Sequence, residues 1–151
     1  MATHAPAFPI FSGRVRHALD AKNRTVIPAA WRPEEPAPLW LVPQSDRSSL
    51  LAMPERVFEA VEGTVNANPN LDPEQRQAFL ELFFSEAQTV TPDKQGRFVI
   101  PEQFCAELKL RNEVLFAGAQ SKFKIWNVAA FESFEAERRP TIRTVGRAVQ
   151  L

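Results

Sequence analysis

Hydrophobic and polar positions along the chain fall into short alternations and compact apolar runs separated by turn residues. From Gly13 to Leu19, Val15, His17 and Leu19 alternate with Arg14, Arg16 and Ala18, which predicts a strand with one face toward a core. A polar turn, Asp20-Ala21-Lys22-Asn23, separates it from the β-branched run Thr25-Val26-Ile27. Ala87 to Val90, Asp93-Lys94-Gln95-Gly96 and Val99-Ile100 repeat that order. Pro28 and Pro101 suit the first turn of a helix, where a missing N–H costs nothing, so a short helix is expected after each. Leu39 to Val42 with Leu50 to Met53, and Val114 to Ala117 with Phe123 to Trp126, read as two further strand pairs. Terminal helices are expected to begin near Pro54 and, with Asn127 as N-cap, near Val128.

Between these halves, a loop from Asn66 to Leu71 precedes a helix opened by Asp72-Pro73-Glu74-Gln75, which supplies an N-cap, an N1 proline and an N3 glutamine. Only Glu81 is charged from Ala78 to Phe84. A helix so apolar is expected to be buried on most sides, as a core helix within the chain or, alternatively, as a seam between subunits.

The two halves are copies. A shift of 73 residues aligns Phe11-Ser12 with Phe84-Ser85, Asp20 with Asp93, Arg24 with Arg97, Val26-Ile27-Pro28 with Val99-Ile100-Pro101, and Phe58-Glu59 with Phe131-Glu132. Over residues 11 to 62 the ungapped match holds 12 identities in 52 positions, clustered in turn and strand signals as duplication leaves them. Each copy is one short βαβ-type unit. Asn23 and Gly96 share a repeat position, and both tolerate positive φ, so a left-handed residue is expected to close each turn.

Composition narrows the functional classes. Twelve Phe and three Trp with no Tyr favour cores over wet interfaces. A solitary Cys105 with only His4 and His17 excludes a disulfide within the chain and supplies no metal-ligand set, which suits a reducing compartment. No apolar run approaches the ~20 residues that span a bilayer, and Met1 to Pro9 lacks the layout of a signal peptide. The expected protein is cytoplasmic and not an enzyme: no catalytic residues, cofactor, metal or small-molecule substrate is implied, and His17 reads as a core-facing strand position.

The formal net charge is zero, yet the distribution is uneven. Arg14 to Arg24 carries a net +3, Arg138 to Leu151 four arginines with no side-chain acid, and residues 54 to 86 a net of −5. The distinctive chemistry is an Asp-x-x-x-Arg turn present twice. Its Asp can accept backbone N–H bonds within the loop and hold the Arg four residues on in a fixed orientation. An oriented Arg suits bidentate contact with guanine, and a flexible Lys beside it suits phosphate. The same two residues equally well satisfy each other within a hairpin. The placement of Arg14 and Arg16 on one strand face, and the repeat of the turn with Lys94 and Arg97, tilt the reading toward DNA. The DNA-contact candidates are Arg24, Lys22 and Arg16 foremost, with Arg14, and with Arg97 and Lys94 secondary or devoted mainly to structure; Asp20, Asn23, Asp93 and Gly96 orient the loops.

Phe11-x-Gly13, His17-x-Leu19-Asp20-x-Lys22-x-Arg24, Ile27-Pro28, Asp93-x-x-Gly96-Arg97-x-x-Ile100-Pro101 and Phe123-x-Ile125-Trp126 together resemble the MraZ family of bacterial regulators, with two SpoVT/AbrB-like domains. Asn23 stands where that family usually has Gly. The resemblance implies an α+β fold of tandem SpoVT/AbrB-like, swapped-hairpin modules: mainly short antiparallel strands with short helices in a compact pseudo-twofold unit. It places the first domain at 11–59, a connecting loop and helix at 60–83 and the second domain at 84–132, flanked by an N-terminal extension (1–10) and the helix end with a basic tail (133–151). It further implies a ring of many subunits, nucleoid-associated, that binds direct repeats in double-stranded promoter DNA and represses its own division and cell-wall operon. The extension and the tail beyond Glu137 lie outside the motif and are expected to be disordered. An antitoxin of the same superfamily, or a ring-forming interaction protein without a nucleic-acid role, remain alternatives.

Overall fold

The computed structural model describes residues 8–151. Its first strand, β1 (Arg14–Leu19), ends at the Asp20 turn and is followed by β2 (Arg24–Val26), a single 3-10 turn (Ala29–Trp31), β3 (Leu39–Pro43), β4 (Leu50–Pro54), α1 (Glu55–Ala67) and α2 (Pro73–Glu86). The second copy supplies β5 (Gln88–Val90), β6 (Arg97–Val99), α3 (Glu102–Leu108), β7 (Asn112–Ala119), β8 (Lys122–Trp126) and α4 (Val128–Ala148). The architecture is therefore α+β, with every strand pairing antiparallel.

Strand order shows how the copies combine. The six-stranded sheet runs β1-β7-β8-β4-β3-β5, and β2 pairs with β6 in a separate two-stranded ribbon. The first strand of each copy pairs with the third strand of the other, Val15 opposite Phe116 and Trp40 opposite Thr89, so the sheet reads the same from either edge.

Period-two alternation divides the sheet side chains between two layers. Toward the ribbon, Leu39, Leu41, Leu50 and Ala52 meet Val114, Phe116, Phe123 and Ile125, with Ile27, Trp31, Phe98, Ile100 and Phe104 closing the core from above. On the other face, Trp40, Val42, Leu51 and Met53 receive α1 and α2 through Phe58, Phe83 and Phe84, while Leu115 and Trp126 receive α4 through Phe131 and Phe134. Trp31 sits against Phe11 and Phe123 and donates its indole N–H to the Ser12 carbonyl at 2.9 Å, which satisfies its one polar atom in the core.

Several expectations need correction. Pro28 and Pro101 are N-caps in extended conformation, one position outside the helices they precede. The helix expected after Pro28 is only a 3-10 turn, because Pro33 confines Arg32 to the extended region (φ −73°, ψ 132°). The central helix α2 has no buried residue, and Phe79 and Leu82 are 38% and 65% exposed, so it is not a core helix of this chain. The basic tail is not disordered: α4 runs unbroken through Pro140 to Ala148. Of the N-terminal extension, residues 1–7 lie outside the described residues, whereas Phe8 is buried against Phe11. His17 faces the ribbon side as expected but is only half-buried, edge-on to the Phe116 ring, and burial with the nearby Arg32 charge lowers its pKa.

The two turn closures are equivalent in backbone and unequal in surroundings. Asn23 and Gly96 adopt φ of 63° and 81°, as positive φ tolerance required. A Cβ at Gly96 would stand 2.6 Å from Arg32 Nε and 2.7 Å from Ile27 Cγ2. The repeat equivalent of Arg32 is the smaller Cys105, which explains why a side chain fits at position 23. Gly96→Ala is expected to cost about 1–3 kcal/mol through backbone strain and crowding, read as a lowered denaturant midpoint at unchanged m-value. Asn23→Ala should cost less.

Candidate nucleic-acid interface

The Asp20 turn is built by its own side chain. Asp20 Oδ1 accepts the backbone N–H groups of Lys22 and Arg24 at 2.9 and 2.8 Å, and Oδ2 accepts Arg24 Nε at 2.7 Å. Asp93 repeats this with Gln95, Arg97 and Arg97 Nε at 2.9, 2.9 and 2.7 Å. Each carboxylate thus closes its loop and fixes its arginine at once. The Arg24 or Arg97 backbone N–H foremost, and then the guanidinium, hold the Asp20 and Asp93 carboxyls below the usual carboxylate range. As pH falls they stay ionised past the pH at which an ordinary Asp is half protonated, and the fixed turn is lost only below that.

The ribbon brings the two turns together. Arg24 lies opposite Val99 and Arg97 opposite Val26, with the buried pair Thr25 and Phe98 between them. Alternation therefore turns both arginines to the same outward face, about 8 Å apart across the diagonal. Backbone bonds from Ile27 N–H to the Gly96 carbonyl and from Ile100 N–H to the Asn23 carbonyl, both 2.8 Å, lock one turn to the other. Arg24 and Arg97 side chains are 59% and 65% exposed despite their ion pairs. Among the described residues neither Nη of Arg24 has a partner, whereas Arg97 Nη2 also reaches Gln95 at 3.4 Å. Lys22 and Lys94 are exposed beside them, although the repeat register sets Lys22 against Gln95 and Lys94 against Ala21.

Arg14 and Arg16 are not part of this group. They share one strand face as expected, but it is the face away from the ribbon, toward α4. There Arg14 pairs with Glu135 and lies over the Phe131 ring at 4.8 Å, and Arg16 pairs with Glu132 at 3.4 Å and Glu113 at 3.6 Å. Sequence reasoning could place them on one face but could not see the helix that claims them. Cys105 is buried, and burial with the nearby Glu102 raises its thiol pKa to about 11, so it stays protonated. Among the described residues no group of His, Cys, Asp and Glu could hold a metal ion, and no helix is long and apolar enough to cross a membrane.

Two interleaved copies with a pair of carboxylate-oriented, exposed arginines on one antiparallel ribbon define a duplicated α+β protein. Residues 83–150 match the family model described as "MraZ protein, putative antitoxin-like". The chain is 31% identical over 125 residues to a transcriptional regulator MraZ from Carboxydothermus hydrogenoformans, covering 83% of this chain and 86% of that protein. It is 35% identical over 127 residues to one from Syntrophobacter fumaroxidans (83% and 84%) and 33% identical over 128 residues to one from Leuconostoc citreum (85% and 88%). The chain belongs to the MraZ family of transcriptional regulators.

Proposed function

We propose that this chain is a repressor that binds direct repeats in double-stranded promoter DNA upstream of its own division and cell-wall operon. The observation that carries the reading is the Arg24–Arg97 ribbon: two guanidinium groups, each oriented by a carboxylate through Nε, on side chains that remain mostly exposed. That leaves the outer edge of each fork for guanine O6 and N7, while Lys22 and Lys94 serve the phosphates on either side. Arg24 is the stronger reader, because its terminal nitrogens are uncommitted. Arg14 and Arg16 act indirectly, by fixing α4.

The protein works as a ring of subunits, in the cytoplasm at the nucleoid. Exposed Phe79 and Leu82 on α2 support oligomerisation, since a monomer would leave this apolar patch in water. A few cations per chain bind weakly; several ribbons engaging repeated sites together raise avidity by ~100-fold or more.

The test is titration of the full chain against duplex from upstream of its own gene, with a scrambled-repeat duplex as control, over a range of salt. The expected result is at least ~100-fold preference for the intact repeats. Binding should also weaken steeply with salt, with a log–log slope of about −2 or steeper per engaged chain. Equal binding to both duplexes, or none at low salt, overturns the reading.

A further inference from the structure

The outer face of the sheet carries two surfaces of opposite charge that do not meet within the chain. One is the end of α4. Arg139, Arg143 and Arg147 recur at every fourth position, a stripe about 12 Å long. Beside it Ile142, Val145 and Val149 are 55%, 53% and 57% exposed. The root of this helix is fixed, by Phe131 and Phe134 on Trp126 and by Arg14 and Arg16 on Glu135 and Glu132. Its last turns therefore project as a rigid arm.

The other surface is the α1–α2 pair. Glu55, Glu59 and Glu62 line one face of α1 over about 10.5 Å, and α2 adds Glu81 with half-buried Leu80 and Phe84 on the flank that meets α1. The groove between these helices is bordered by Glu62, Leu80, Glu81 and Phe84. Both surfaces thus combine apolar side chains with a majority of one charge, the groove's Arg76 being bonded to the Asn68 carbonyl at 2.8 Å.

The repeat supplies an independent reason to seek a partner for these glutamates. Glu59 and Glu62 are the equivalents of Glu132 and Glu135, which bind Arg16 and Arg14. The positions equivalent to those arginines, Thr89 and Ala87 of the second copy, carry no charge. Among the described residues, no ion pair joins Glu55, Glu59, Glu62, Arg143 or Arg147 to anything, or α4 to α1 or α2.

We propose that the arginine face of the α4 arm docks on the acidic α1–α2 surface of a second copy of this chain. Arm and acceptor are different surfaces, so each copy gives one and receives one, and the contact propagates head to tail until rotation closes a ring. Phosphate would satisfy the arginines but leave Ile142, Val145 and Val149 in water; the α1–α2 surface satisfies both strips. The proposal rests on the ring reading above and assigns its contact.

Charge exchange in the full-length chain tests it, with mass read by sedimentation velocity. The triple variant Arg139→Glu/Arg143→Glu/Arg147→Glu is expected to lose assembly, as is Glu59→Arg/Glu62→Arg/Glu81→Arg. Mixed in equal amounts, the two should regain an assembly containing both, since each reversed surface now fits the other variant. The milder pair Arg143→Gln/Arg147→Gln should keep the fold and dissociate at lower salt than the parent. Parental mass in the arm-reversed variant overturns the proposal, as does failure of the mixture to reassemble. Loss of DNA binding at unchanged mass assigns the arm to nucleic acid and overturns it as well. A parent chain that is monomeric at every concentration instead removes the ring reading itself.

Discussion

Replacing Arg24 and Arg97 together by alanine is expected to abolish discrimination between operator and scrambled DNA while leaving assembly and fold intact. Each bidentate guanine contact contributes about 1–3 kcal/mol of discrimination, or roughly 5- to 150-fold, so the two together account for about a thousandfold at the middle of that range. The substitutions remove no core atom: both side chains lie on the outward face of the ribbon, with Thr25 and Phe98 filling the inner side. The turns themselves should persist, because Asp20 and Asp93 keep their backbone bonds to Lys22 and Arg24, and to Gln95 and Arg97. Arg24→Lys is the sharper control. It keeps the charge, and with it most of the salt dependence, but loses the planar fork that Asp20 orients. A lysine variant with parental discrimination would show that Arg24 contributes charge alone. A double alanine variant with parental discrimination would move the reading surface elsewhere.

What the sequence made legible was local and periodic. The Asp20 and Asp93 turns, the left-handed residue closing each, and the Asn127 cap follow from side chains acting on backbone within four residues. The Asp72–Gln75 capping box is equally local, with reciprocal bonds of 2.8 and 3.0 Å. Strand faces were legible for the same reason, since alternation needs no partner. The partners were not. Nothing in the alternation of Val15, His17 and Leu19 states that β1 lies beside β7, some hundred residues on, or that Arg14 meets Glu135 there. The apolar character of α2 was visible, but its placement on α1, leaving Phe79 and Leu82 outward, was not. α4 continues through Pro140, although the proline forfeits one ladder bond.

The interleaved sheet leads to the other large effect. Neither half of the chain is expected to fold as a monomer when expressed separately, divided in the loop between α1 and α2. Among the described residues β1 has β7 as its only strand neighbour and β5 has only β3, so each half loses the partner of its first strand. The ribbon disappears too, because β2 and β6 come from different copies, and with it the bonds that lock Asn23 to Ile100 and Gly96 to Ile27. The core is shared to the same degree. Trp31 packs on Phe116 and Phe123, and Leu50 lies opposite Ile125, so dividing the chain exposes apolar faces on both sides of the cut. A half of some 70 residues, already near the lower limit for an independent core, has no compensating contact. Each half should therefore be unfolded, or associated so that a second half replaces the missing strands. Mixing the two should restore a cooperative unfolding transition and a one-to-one complex, followed by near-ultraviolet circular dichroism and sedimentation equilibrium. A half that is monomeric and still unfolds cooperatively would contradict the dependence of each copy on the other.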